Sequence, residues 1–341
     1  ASVTVTQAPV ADCPFSGSVN REYNIGGTGG AYTAALRLHY EDGDLNGNVE
    51  SSMQQWHFNG SIWVPSGKTS NDAVNNWVEQ TGLASIAGRW TFSDDLNVAN
   101  WTGAVSTAWE DAGNWTAAGG VPSLPPSATD IAQFGAVSLT SQPALTSSVT
   151  VKGLFFASTQ AATIAIEGGG SLVTSGNVGG VWSAGAMHTI EVGSQSLTVG
   201  GDMALSDGTS GHSINLEIGS GSVTVMGSFN QSGDAAVSWS GGGTLAIAGD
   251  YNYAGGSFAA GSGTTMYNGT GSQGVAGGLS YNNLTINKSA GTASLSAPGT
   301  VLGNLTLSTG GTFSLGAPLT VVRYRLMACS QFKGRCKKDV G

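Results

Sequence analysis

Charged side chains are scarce here. They make up 10% of the 341 residues, where an average soluble domain carries about a quarter. Low charge with low hydrophobicity would indicate disorder, but hydrophobic residues reach 40%, many of them β-branched, which points to an ordered all-β chain. Gly, Ser and Thr dominate and no window keeps a 3.6-residue apolar period, so a helical reading is poor. No run of eighteen apolar residues occurs, which excludes a helical membrane span. Three cysteines (Cys13, Cys329, Cys336) make no disulfide framework. Cys329 and Cys336 lie close enough in sequence to pair, and three free thiols fit equally well. Ala1 is not followed by a basic and apolar leader, which suits a secreted chain whose signal has been removed. Basic residues are few and unevenly placed. Six of the twelve Lys/Arg follow Val322 (Arg323, Arg325, Lys333, Arg335, Lys337, Lys338). The other six face twenty Asp/Glu over residues 1–322, a balance of −14. Such a surface repels nucleic acid and anionic lipid.

What the chain has instead is glycine, 54 residues of it, and a recurring phrase. A Gly/Ser-rich turn leads into a short β-rich segment with apolar ends, and a second turn follows. The phrase reads Ser171-Leu172-Val173, Ser196-Leu197-Thr198-Val199, Ser222-Val223-Thr224-Val225, Thr244-Leu245-Ala246-Ile247, Asn283-Leu284-Thr285-Ile286 and Asn304-Leu305-Thr306-Leu307. Its leading apolar positions are 25, 26, 22, 39 and 21 residues apart. The long gap holds a degenerate copy at Thr264-Thr265-Met266-Tyr267. A repeat of this length made of strands and turns marks a solenoid, because one rung cannot bury its apolar face alone and a stack of rungs can. Spacing alone leaves a flat antiparallel meander open.

Before the repeats the texture differs. Ala1 to Ala8 alternates, with Val3 and Val5 on one face and Ser2, Thr4 and Thr6 on the other, and predicts a strand that pairs either within its own domain or with another subunit's sheet edge. Residues 13–97 hold Trp56, Trp63, Trp77 and Trp90 among alternating segments, Ala35 to Tyr40 and Met53 to Phe58. Asn59-Gly60 reads as a hairpin turn. The spacing predicts a β-sandwich. The expected organisation is a β-sandwich head over 1–97, a linker and cap over 98–135, a β-solenoid over 136–322 and a basic tail over 323–341.

Trp109, Asn114-Trp115, Gly120-Val121-Pro122, Asp130 and Phe134, running on into Val149 to Leu154, resemble the start of repeat segments in bacterial autotransporter-like surface proteins. Tyr267-Asn268-Gly269-Thr270-Gly271-Ser272-Gln273 and Tyr281 to Ile286 resemble repeats of large proteins secreted by the type IX pathway, and Leu36 to Tyr40 through Trp56 and on to Trp77-Val78 is similar to a β-sandwich module in the same kinds of protein. The resemblance covers roughly residues 20–321. It implies an extracellular β-helical stalk or fibre on a cell surface and no particular activity.

Candidate sites are few. Asp42, Asp44, Asn46 and Glu50 fit the first half of a calcium loop, with oxygens at positions 1, 3 and 5 and Gly47 at 6. Met53 stands where the bidentate Glu belongs, and the same residues also suit a polar turn. Trp56, Trp63, Trp77 and Trp90 could stack on sugar rings or fill a sandwich core. Asp202 and Asp250 follow Gly201 and Gly249 at matching places after a strand, as turn residues or as the acids of a polysaccharide-cleaving β-helix. The four histidines (His39, His57, His188, His212) show no HxxH or HExxH spacing, and no serine sits in a nucleophile elbow. No catalytic residue and no cofactor beyond calcium is therefore expected. The function expected is a self-associating structural subunit of a surface fibre, stalk or matrix. The alternatives are a carbohydrate-binding adhesin or a polysaccharide-degrading enzyme.

Overall fold

Short segments that alternate apolar and small polar residues, broken by glycine every few positions, can only pair as strands and turn sharply. In the computed structural model 51% of the chain is strand and 3% helix. The structure describes residues 2–322 apart from 9, 11–17, 28–31, 47, 59–62, 95–96, 120–121, 158, 183 and 309, together with 332–333. The three cysteines and most of the basic tail lie outside the described residues.

The head is a β-sandwich. One sheet runs β1 (Ser2–Thr6), β2 (Glu22–Gly26), β8 (Gly88–Ser93), β4 (Gln54–Phe58) and β5 (Trp63–Gly67) in spatial order; the other runs β3 (Ala34–His39), β7 (Trp77–Leu83) and β6 (Ser70–Asp72). All neighbours are antiparallel. Tyr23, Ile25, Leu36, Leu38, Tyr40, Met53, Val78, Trp90 and Phe92 fill the space between the sheets. Phe92 sits edge-on to Tyr23 and Tyr40, with centroids 5.9 and 5.7 Å away. The alternating strand at the start is present as β1 and pairs with β2 of its own domain. Its apolar face is not buried, however: Val3 is 59% and Val5 46% exposed.

The body is a β-solenoid of about eight turns over residues 131–321, or about 40 Å of stack at the usual strand separation of about 4.8 Å. Each turn has three strands, one on each of three faces. Face one contains every copy of the repeated phrase: Ser148–Val151, Ser171–Thr174, Ser196–Val199, Ser222–Val225, Thr244–Ile247, Thr264–Tyr267, Asn283–Ile286 and Leu305–Leu307, all parallel. The register runs Leu172, Leu197, Val223, Leu245, Thr265, Leu284, Leu305 without a slip. Period-two alternation fixes this register, because a one-residue shift would turn the whole column outward. The degenerate copy takes its place in the column, with Thr265 buried.

Backbones stack closely at the corner after face one. Gly227 N donates to Gly201 O and Gly249 N to Gly227 O, both at 2.9 Å. A Cβ on Gly249 would lie 2.4 Å from the Gly227 carbonyl carbon, so only glycine fits there.

The segment between head and stack is built into face two. β9 (Asn97–Trp101) pairs antiparallel with β10 (Trp115–Gly119) and parallel with β11 (Asp130–Phe134), and β11 pairs with Gly153–Ala157. Trp101, Trp109, Trp115 and Phe134 close over the first turns as one aromatic group, with neighbouring centroids 4.8 to 5.7 Å apart. Phe134 passes the stack on to Phe156, then His188, Trp182 and His212. Trp56 joins head to body: it is fully buried in a cluster with Val10, Val98, Ile131 and Phe155.

Candidate functional site

Of the tryptophans read either as sugar platforms or as sandwich core, two are core residues. Trp56 packs outward from the first head sheet against the body, and Trp90 packs inward against the second sheet. Neighbouring strands carry them in register positions one apart, Trp56 opposite Thr91 and His57 opposite Trp90, so their rings leave the sheet on opposite sides. Both sides are covered, and neither ring can stack on a ligand. Trp63 begins β5, and its side chain lies outside the described residues. Trp77 reaches the surface.

Trp77 belongs to a polar group on the outer face of the three-stranded head sheet. Alternation in β3 turns Leu36 and Leu38 inward and leaves Arg37 and His39 exposed. In β7, Val78 is buried while Trp77 and Glu79 stay half-buried. Register sets Arg37 opposite Glu79 and His39 opposite Trp77. The Arg37 guanidinium lies 3.9 Å from the Trp77 ring centroid, and its Nε donates to Glu79 Oε2 at 2.9 Å. Stacking and ion pairing hold the guanidinium in place. Beside it, Asp72 accepts from Val74 N, Asn75 N and Asn75 Nδ2 at 2.9, 3.1 and 2.7 Å. These bonds, the Asn75 side chain foremost, hold its carboxyl below the usual carboxylate range. The face therefore offers an aromatic ring, a fixed guanidinium, carboxylates and an imidazole on one flat surface. That set of donors and acceptors suits a hydroxyl-rich ligand.

The calcium-like loop abuts this face, and Asp42, Asp44, Asn46 and Glu50 each have a hydrogen-bond partner in the head. Asp42 Oδ1 accepts from Asn76 Nδ2 at 2.6 Å, which ties the loop to the turn before Trp77. Asp44 takes Arg21 Nε at 2.7 Å and Glu41 N at 3.0 Å. Asn46 gives its amide to Ser18 O at 2.9 Å, and Glu50 accepts from the Tyr40 hydroxyl at 3.0 Å. Burial and this carboxylate push the Tyr40 phenol well up. Among the described residues no group of three or more His, Cys, Asp or Glu is placed to hold a metal ion.

In the body, the acids named from the sequence serve as corner acceptors. Asn177 Oδ1 accepts from Asp202 N at 2.8 Å, Asp202 Oδ1 from Ser228 N at 2.6 Å, Asp250 Oδ1 from Gly274 N at 2.6 Å, and Asn283 Oδ1 from Asn304 N at 3.0 Å. Each side chain bonds the backbone of the next turn. Asp202 and Asp250 sit two turns apart, with Ser228 at the matching corner between them.

Sequence reasoning missed the pairing of Arg37 with Glu79. The alternation of Ala35 to Tyr40 already set Arg37 and His39 on one face, and that signal could have found it. It also missed a second polar group, at a corner between faces two and three. There His212 Nδ1 meets Asp207 Oδ2 at 2.9 Å, and the imidazole stacks on Trp182 at 5.5 Å. The pair holds the Asp207 carboxyl below its usual range, against the opposing effect of burial.

No family model, no curated protein and no solved structure matches this chain.

Proposed function

We propose that this chain is an extracellular structural subunit, a rigid stalk or fibre element of a cell surface or matrix. The observation that carries the reading is the set of corner acceptors. Asn177, Asp202, Asp250 and Asn283 each bond a backbone N–H of the following turn. Polar side chains of a kind that other β-helices spend on chemistry here fasten one turn to the next. A stack pinned at its corners resists bending, which is what a spacer requires. The low charge and the resemblance of residues 109–134 and 267–286 to surface-protein repeats support the same reading.

Self-association is part of the proposal. Among the described residues β1 is an edge strand, paired with β2 alone, with exposed Val3 and Val5. Such an edge accepts a strand from another copy. Electron microscopy of the purified protein at rising concentration tests this. Rods joined into filaments or ordered aggregates are the expected result, and dispersed single particles at every concentration would refute assembly.

A second reading, polysaccharide binding by the head, rests on Trp77 with Arg37, Glu79 and His39 on one open sheet face. A glycan array and tryptophan fluorescence test it. A hit lost on Trp77→Ala and Arg37→Ala, but kept when Trp182 is changed, would establish that face as the site.

A further inference from the structure

Lys288 is the cation least accounted for by the fold. Its side chain is 1% exposed. It follows the face-one strand Asn283–Ile286 and reaches back inside the wall to the turn before. Nζ donates to Gly269 O and, at 3.1 Å, to Oε1 of Gln273. Gln273 is itself 2% exposed. Among the described residues no carboxylate forms an ion pair with Lys288. Burial lowers its pKa, and the charge of Asp250 only partly opposes this. Desolvation is how an amine becomes a nucleophile.

The carboxamide facing it is held on every side. Gln273 Nε2 donates to Ile247 O and Gly249 O of the turn before, both at 2.6 Å, which fixes the amide plane. Gln273 Oε1 accepts from Gly269 N at 3.2 Å as well as from the lysine. That backbone N–H points at the oxygen on which negative charge would build if the amine added to the carbonyl carbon, the role of an oxyanion donor. Two reactants locked side by side in a dry interior gain the large effective concentration of an intramolecular reaction.

We propose that Lys288 and Gln273 are joined by an isopeptide bond that the folded chain makes unaided, tying consecutive turns of the solenoid together inside its wall. Neutral Nζ adds to Cδ of Gln273 and a C–N bond forms. The oxyanion is held by Gly269 N–H. Collapse breaks the Cδ–Nε2 bond, and that nitrogen leaves as ammonia with the proton Nζ gives up. One amine and one carboxamide become one secondary amide and one ammonia, with no change of oxidation state and no other reactant.

Intact-mass spectrometry of the full chain under denaturing conditions tests this directly. The expected chain is lighter than its sequence by one ammonia, and digestion yields a branched peptide joining the segments around 273 and 288. Lys288→Met restores the full mass. Gln273→Glu, if it still reacts, loses one water instead, because the leaving group has changed. A wild-type chain of full mass, with both peptides linear, overturns the proposal. So does a loss of ammonia without the branched peptide, since cyclisation at Asn268-Gly269 would give the same mass. Neither result depends on how stable the variants are.

Discussion

In the head, Trp90, Phe92, Tyr23 and Tyr40 meet in one knot between two sheets. In the body, Leu172, Leu197, Val223 and Leu245 stand in a column, each on the same position of the turn below. The head gathers residues far apart in sequence, so each ring has its own surroundings. The body repeats one environment at an interval of roughly two dozen residues, so each side chain mostly meets copies of itself. Cations do not divide so cleanly, since Lys68 in the head donates to the Ser51 carbonyl and Lys152 in the body meets Asp94 at 3.4 Å. Arg21, Arg37 and Arg89 in the head each pair with a carboxylate. Lys288 in the body is enclosed by neutral oxygens. The difference shows why a head of this kind can carry a specific face while a stack of this kind supplies length: variety of surroundings makes sites, and repetition makes rigidity.

The largest expected effect comes from cutting the two regions apart. Trp56→Ala removes a fully buried ring shared by head and body and should cost about 3–5 kcal/mol. Denaturant unfolding followed by separate head and body probes should then show two transitions where the wild type shows coupled ones. A single unchanged transition would mean that the seam does not couple the regions.

Acid should distinguish them next. His188 is fully buried between Phe156 and Trp182, and its Nδ1 accepts from Ala162 N at 3.0 Å. Burial pushes its pKa down to about 4. Below about 6.5 the unfolded chain takes up a proton that the folded body refuses. Stability contributed by the neutral imidazole is therefore complete above pH 6.5 and drains away as pH falls toward 4, by about 3 kcal/mol in all. Unfolding of the body measured from pH 7 to pH 4 should show this loss, and His188→Leu should remove that part of the dependence.

The corner acceptors come third. Asp202→Ala leaves Ser228 N without its acceptor and should destabilise the body by about 1–2 kcal/mol. Asp202→Asn keeps an oxygen there and should cost less. Polysaccharide cleavage abolished by Asp202→Asn in a chain that still folds would instead give this corner a catalytic role.

The smallest effect is also the one with opposite sign. Glu191 lies beside Glu217 in register on adjacent turns. Partial burial, then Glu217 and Glu167, raise its pKa. Like charges across a strand pair cost roughly 0.2–1 kcal/mol. Glu191→Gln should therefore stabilise the body slightly at neutral pH. The gain should fade as pH falls through the raised carboxylate pKa, where the native side chain becomes neutral on its own. Thermal melts at pH 7 and pH 4 check both halves.

Face one was readable because its phrase recurs: one polar residue, one inward residue, one outward residue and one inward residue, the inward ones apolar in most copies, with glycine two places after the strand at Gly176, Gly201, Gly227, Gly249 and Gly269. Faces two and three were not. The connections between them vary, from the step between Val181 and Ala186 to the longer one between Ala204 and His212, and variable corners erase a fixed period. Asp202 and Asp250 could be placed at corners from their preceding glycines, but not on the N–H groups they accept from, since those belong to the next turn.

By itself, then, the sequence determined the repeated phrase of face one and the change of texture near residue 97, because alternation and spacing are local, while the structure decided that the copies stack in parallel register. Only the tertiary structure decided that Trp56 and Trp90 are enclosed while Trp77 meets solvent, that Val3 and Val5 stay uncovered, and that Lys288 lies against Gln273. Alternation states which side chains share a side of a strand. What covers that side depends on segments distant in the chain, and no short stretch of sequence contains them.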